Sequence, residues 1–121
     1  MCDMYTSADP IHYEQRTRSL RIRGAVTSIR LENLCWDVLA RIASREQTTT
    51  NQLICKLYEE IIERQGKVDN FSSFLRVSCM RFLCLVAEQQ DKDHLMMNAL
   101  AQPQRKTAQI KSIVGDQHNT G

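Results

Sequence analysis

The chain has 121 residues, of which 42% are hydrophobic and 25% charged, and its formal net charge is +2. This length predicts a single domain, and the composition is typical of a globular chain and unlike that of a disordered or fibrous protein. No stretch reaches the roughly 18 apolar residues of a membrane-spanning helix, so we expect no membrane partner.

The N-terminal part of the chain carries its charges in two blocks. Residues 1–15 contain three acids and no base, whereas residues 16–31 contain five arginines and no acid. Such a block of bases favours an anionic partner over a merely solvated surface. The first residues, MCDMYTSADPIH, have neither the basic leader nor the apolar run of a signal peptide, so we expect a cytoplasmic protein.

Residue types that support metal or catalytic chemistry are scattered. The five cysteines are odd in number, and no two have the spacing of a zinc or redox motif. Cys35, Cys55 and Cys79 fall on apolar stripes, where cysteine behaves as a small hydrophobe. The sequence has no glycine-rich phosphate loop, no nucleophile elbow and no close pair of acids between apolar residues. We therefore predict no metal, no cofactor and no enzymatic activity.

Two segments alternate between apolar and polar residues, which predicts extended backbone. They are RSLRIRG, from Arg18 to Gly24, and AVTSIRL, from Ala25 to Leu31. The two segments could pair as a hairpin, but we favour one extended segment bent at Gly24, because RGA is not a favoured two-residue hairpin turn. Within the second segment, Thr27, Ile29 and Leu31 face inward, and the alternate side chains face solvent. Those outward side chains are Val26, Ser28 and Arg30.

Three helices are predicted after the extended segment. The first runs from Glu32 or Asn33 to Arg45. The second begins with a capping box at Thr49 and ends at Gly66. The third begins near Asn70 or Ser72 and stops before Pro103. The predicted divisions are a polar lead (1–15), a strand and two helices (16–66), an additional helix packing on the core (67–102) and a flexible tail (103–121).

A single strand leaves its backbone hydrogen-bonding groups unpaired. We therefore expect this N-terminal strand to pair with the same strand of a second subunit across a two-fold axis. The resulting two-stranded ribbon has the right width for the major groove of B-form DNA, which is about 12 Å wide. The fold class predicted is mainly α, with one β-strand completed by a homodimer.

The run from Val26 to Ile61 resembles the ribbon-helix-helix family of DNA-binding repressors, the class that includes Arc and MetJ. The resemblance rests on TSIRLENLCWDVLARIA and on TTNQLICKLYEEI, separated by a short turn. The longer frame RTRSLRIRGAVTSIRLE, with an additional third helix, is similar to a bacterial subfamily of these proteins. The family often has proline where this chain has Glu32 and glycine where it has Gln47.

The resemblance implies two sets of DNA-contacting residues. The outward strand residues Val26, Ser28 and Arg30 would contact base edges. The start of the second helix would bind a phosphate through its backbone amides, because a helix N-terminus attracts anions. In this chain that corner consists of Thr49, Thr50 and Asn51.

The arginines Arg21 and Arg23 lie beside the strand that would enter the groove. We expect them to contact flanking phosphates, which would position the protein without specifying sequence. The sequence thus predicts a sequence-specific transcriptional regulator of the nucleoid, a repressor, that binds double-stranded DNA as a homodimer. The third helix would enlarge the core or join dimers into a larger assembly.

Two alternatives remain open at this point. One is an antitoxin that represses its own operon and whose C-terminal part binds a toxin protein. Its support is the apolar set in the polar region after Gln89, namely Leu95, Met96, Met97 and Leu100. The other is a dimerisation or protein-interaction module that does not use DNA.

Overall fold

The computed structural model describes residues 2–101, which form five helices and one two-stranded antiparallel sheet. Two short helices come first, α1 (Cys2–Thr6) and α2 (Pro10–Tyr13). The strands β1 (Gln15–Ile22) and β2 (Ala25–Glu32) follow. The remaining helices are α3 (Asn33–Arg45), α4 (Thr50–Gln65) and α5 (Phe71–Ala101). The predicted class, mainly helical with a β-ribbon and an extra C-terminal helix, is confirmed.

The ribbon is a hairpin within one chain. β1 pairs with β2 from Gln15 opposite Glu32 to Ile22 opposite Ala25. The two-residue turn consists of Arg23 (φ 53°) and Gly24 (φ 83°), and two positive φ angles are what a type I′ hairpin turn requires.

This pairing corrects two expectations. The single bent segment was wrong, and β2, which the sequence predicted to have no partner within its own chain, pairs with β1. The physical reason is that a two-residue connection closes at little entropic cost. One non-glycine residue in the left-handed region costs only ~1–2 kcal/mol, and the ladder that forms along eight residues of each strand offsets it.

The inner face of the hairpin lies on the helices. Its buried side chains are Leu20, Ile22, Ile29 and Leu31. They pack in one core with buried residues of α3 and α4, namely Trp36, Val38, Leu39, Ala43, Leu53 and Ile54. Of these, Trp36, Leu39 and Ile54 have almost no exposed surface. The inward orientation predicted for Ile29 and Leu31 is confirmed, and Thr27 is half-buried.

Trp36 joins the hairpin to α3 by polar contacts as well. Its indole Nε1 donates a hydrogen bond to the carbonyl of Arg16 at 3.0 Å, and the guanidinium of Arg18 lies 4.9 Å from the ring centroid. A cation over an aromatic face is attracted by the ring quadrupole. One guanidinium of the basic block, that of Arg18, is therefore held on the side of the ribbon that faces the helices.

The ends of α4 follow the predicted capping rules. The Thr49 hydroxyl accepts from the Gln52 amide at 3.1 Å, and the Gln52 side chain accepts from the Thr49 amide at 3.2 Å. Gly66 ends the helix in the left-handed conformation at φ 78°. In the turn before α4, Gln47 has φ 57°. Glycine adopts that left-handed conformation without strain, whereas glutamine adopts it at a modest cost.

The N-terminal part of α5 packs on the same core. The Asn70 side chain accepts from the Ser73 amide at 3.4 Å, and Leu75 and Cys79 are buried one turn apart. The ring of Phe82 lies beneath two arginines of α3, Arg41 at 5.6 Å and Arg45 at 5.1 Å.

The chain divides into two compact units, residues 1–82 and residues 83–121, and the boundary falls within α5. The described part of the second unit is the helical stretch 83–101, where most apolar side chains are exposed. The predicted tail, 103–121, lies outside the described residues, and the division into domains stays a prediction. Of the helices within residues 2–101, none has the length and apolar character needed to cross a membrane.

Candidate nucleic-acid interface

The side of the hairpin that faces away from the helices presents six side chains in three cross-strand pairs. The pairs are Thr17 with Arg30, Ser19 with Ser28, and Arg21 with Val26. All six residues are exposed, including the apolar Val26 at 67%. We call this set the outer face. The outward orientation predicted for Val26, Ser28 and Arg30 is confirmed, and their contacts with bases stay a prediction.

The chemistry of the outer face is that of hydrogen-bond donors with a net positive charge. Arg21 and Arg30 supply two guanidinium groups, and none of the six residues is acidic. The hydroxyls of Ser19 and Ser28 lie 3.3 Å apart across the strands. Small hydroxyls and arginines suit base edges in the major groove, where arginine can bind guanine bidentately and serine can donate or accept.

Sequence reasoning missed two members of the outer face, Thr17 and Ser19. The signal was available, since RTRSLRIR alternates with strand periodicity. Alternation alone does not place β1 beside β2, and that pairing brings Thr17 and Ser19 onto the outer face. Of the β1 arginines, Arg18 has the opposite orientation and lies over Trp36.

The two arginines predicted to contact phosphates lie at the turn end of the hairpin. Arg21 donates from Nη1 to the carbonyl of Gly24 at 3.3 Å, so its side chain extends toward the turn. Arg23 is exposed at the turn itself. A guanidinium at the end of a ribbon can reach the DNA backbone beside the groove that the ribbon occupies.

The start of α4 consists of the N-cap Thr49 and the first helical residues Thr50 and Asn51, and their contact with a phosphate stays a prediction. Within residues 2–101, the amides of Thr50 and Asn51 have no hydrogen-bond acceptor, as expected for the first turn of a helix. The Cys55 thiol donates to the carbonyl of Arg21 at 3.4 Å. That contact places α4 against β1.

An ion pair lies at the other end of the hairpin. A carboxylate oxygen of Glu32 is 2.8 Å from Nε of Arg76 on α5. The other carboxylate oxygen accepts from Gln15 at 3.3 Å. These contacts, the Arg76 hydrogen bond above all, lower the pKa of Glu32 to about 2.

The two thiols between α3 and α5 have raised pKa values, in contrast to the lowered pKa of Glu32. Cys79 donates to the carbonyl of Cys35 at 3.6 Å. Burial raises the pKa of Cys79 to about 12 and raises the pKa of Cys35 as well. Thiols that stay protonated are poor nucleophiles and poor metal ligands. Among residues 2–101, no three His, Cys, Asp or Glu side chains are grouped as a metal site would require.

A ribbon of two antiparallel strands followed by two helices defines a class of DNA-binding proteins. Residues 15–83 match the family described as ribbon-helix-helix domain. A solved structure, that of an uncharacterized protein from Bordetella pertussis Tohama I, is similar with a TM-score of 0.71 and 45% sequence identity. The similarity covers 73% of this chain and 70% of that one. No curated protein matches significantly.

The chain therefore belongs to the ribbon-helix-helix family. This is a family of DNA-binding regulators, and its members generally bind DNA as dimers.

Proposed function

We propose that this protein is a sequence-specific DNA-binding transcriptional regulator, a repressor that acts as a homodimer on the nucleoid in the cytoplasm. The observation that carries the proposal is the outer face, which presents two arginines and small hydroxyl side chains to solvent with no acid among them. Repression would follow if the bound dimer occluded a promoter.

The width of the hairpin supports binding in the major groove. Neighbouring strands lie about 4.8 Å apart, so two strands with their side chains enter a groove about 12 Å wide. Each protomer supplies both strands of its own ribbon in this proposal. Arg30 and Ser28 contact base edges, and the exposed Val26 contacts a thymine methyl group.

Contacts with the DNA backbone are assigned to two places. Arg21 and Arg23 lie at the turn end of the hairpin. The start of α4, at Thr49, Thr50 and Asn51, offers free amides and the positive end of the helix dipole. These groups bind phosphates of any sequence, so they add affinity without discrimination.

Three observations support a second copy of this chain as the partner. Within the described residues, each strand of the hairpin pairs on one side only. The apolar side chains Val77 and Met80 of α5 are exposed by 48% and 57%. The family generally binds DNA as dimers. A larger assembly through α5 is an extension of the same proposal.

Selection of binding sites from a random DNA pool tests the function. We expect enrichment of a defined motif, and light scattering of the same sample should give twice the chain mass of 14.0 kDa. The affinity should fall steeply with salt, because arginine–phosphate contacts release counterions. Binding that enriches no motif, even at low salt, would support the interaction-module alternative instead.

The stretch 83–101 favours a second candidate function. Leu95, Met96, Met97 and Leu100 are all exposed there, and exposed apolar clusters mark protein-interaction surfaces. An antitoxin would use this stretch to bind a toxin and the ribbon to repress its own operon. The test is co-expression with the product of the neighbouring reading frame. Growth inhibition by that product, relieved by this chain but not by its Leu95→Asp/Met96→Asp variant, would support it.

A further inference from the structure

One carboxylate lies just beyond the outer face, at the end of β2. Glu32 follows Val26, Ser28 and Arg30 at the same alternation along the strand, and it lies opposite Gln15. It is the last residue of β2 and directly precedes α3. An uncompensated negative charge at this position would repel the phosphates that the arginines of the outer face attract.

Arg76 compensates this charge from a distant part of the sequence. Its Nε lies 2.8 Å from the Glu32 carboxylate, and the two side chains are only 32% and 28% exposed. Salt and water screen a partly buried pair less than an exposed one. The neighbouring α5 residues Leu75 and Cys79 are buried in the core, so α5 holds the guanidinium at a fixed place. The Cys35 thiol lies 3.7 Å from the same carboxylate oxygen.

We propose that Arg76 is a positioning residue for DNA binding, which neutralises the Glu32 carboxylate and holds it at the helix side of the ribbon. Through this pair, the helix that extends the minimal ribbon-helix-helix fold sets the electrostatics of the outer face. The inference rests on the proposed function, because it concerns the affinity of the same face for DNA.

Four variants test it: Arg76→Gln, Glu32→Gln, the double variant and Arg81→Gln. Arg81 is an exposed arginine of the same helix, and it has no ion-pair partner among residues 2–101. Arg81→Gln therefore removes the same charge without exposing Glu32. The probes are two fluorescein-labelled duplexes, one carrying the selected site and one of random sequence. Each affinity is measured by anisotropy over a series of salt concentrations.

We expect Arg76→Gln to weaken binding to both duplexes by roughly three- to tenfold at low salt, and less at high salt. Glu32→Gln should bind at least as tightly as the wild type. The double variant should return to within about twofold of the wild type, because the repelling charge is gone. Arg81→Gln should change the affinity by less than about twofold.

Two results would overturn the inference while leaving the proposed function in place. One is an Arg76→Gln affinity equal to that of Arg81→Gln. The other is a double variant as weak as Arg76→Gln with a salt slope reduced by about one, which would mean that Arg76 contacts a phosphate directly. Circular dichroism at the assay temperature confirms that each variant is folded. If Arg76 only stabilises the fold, Arg76→Gln lowers the melting temperature and leaves the affinity for DNA unchanged. If the wild type binds neither duplex, the proposed function fails and this inference fails with it.

Discussion

The inner and outer faces of the hairpin are formed by alternate residues of the same two strands. On the inner face, Leu20, Ile22, Ile29 and Leu31 are buried. On the outer face, the residues between them are exposed. Of two neighbouring residues such as Arg30 and Leu31, one is therefore exposed to solvent and the other buried, because successive side chains of a strand point to opposite sides. Substitutions on the inner face should change stability, and those on the outer face should change DNA binding.

The largest effect is expected for Leu31→Ala. Leu31 has no exposed surface, so truncation should lower the free energy of unfolding by about 2–5 kcal/mol through lost burial and a residual cavity. Urea denaturation measures the change. Arg30→Ala is the matched control next to it in the chain, and a surface change of this kind should stay within about 0.5 kcal/mol. A loss below about 1 kcal/mol for Leu31→Ala would contradict the inner-face assignment.

The next effect is on discrimination between DNA sequences. Arg30→Ala should lower the preference for the selected site over random DNA by about 1–3 kcal/mol, the range for a bidentate arginine–guanine contact. Competition titrations with the two duplexes measure it. Leu31→Ala, assayed where it is folded, should keep the preference. Equal losses of Arg30→Ala on both duplexes would identify Arg30 as a phosphate contact.

Thr49 has a capping role that does not depend on DNA. Thr49→Ala removes the acceptor of the Gln52 amide and should destabilise the protein by about 1 kcal/mol. Thr49→Ser keeps the hydroxyl and is the matched control. If the α4 start also binds a phosphate, Thr49→Ala weakens binding to both duplexes by the same factor. A changed preference between them would count against a backbone contact.

A stabilising change is expected in the turn between α3 and α4. Gln47 has φ 57°, a conformation that glycine adopts without strain. Gln47→Gly should therefore raise the free energy of unfolding by about 0.5–1 kcal/mol, and thermal melts measure it. DNA affinity should be unchanged, because Gln47 lies on neither face of the hairpin. If Gln47→Gly instead lowers the free energy of unfolding, the Gln47 side chain makes interactions that outweigh the backbone strain at this position.

The smallest effect concerns Glu32, which lies where the two faces meet α3. Its pKa is lowered from 4.5 to about 2 in the folded protein, so its ion pair stabilises the fold above about pH 4.5. That contribution is lost as the pH falls toward 2. Melting temperatures between pH 7 and pH 3 should fall less for Glu32→Gln than for the wild type. Parallel curves for the two proteins would show that the pair contributes nothing to stability.

The local features of the fold were predictable from the sequence. The Thr49 capping box and the Gly66 terminator place α4, and the helix predicted to end at Arg45 does so. The orientation of Val26, Ser28 and Arg30 followed from alternation alone. Such features depend on interactions within a few residues, and hydrogen bonding and side-chain periodicity at that range can be read directly.

The tertiary structure decided which groups meet across long stretches of chain. Alternation predicted that β1 and β2 are extended, but whether β2 pairs with β1 or with another copy depends on a turn whose Arg23 adopts an uncommon conformation. That pairing added Thr17 and Ser19 to the outer face. The contact of Glu32 with Arg76 joins residues 44 positions apart. It exists because packing of α5 on the core brings them together, and no local pattern encodes that proximity.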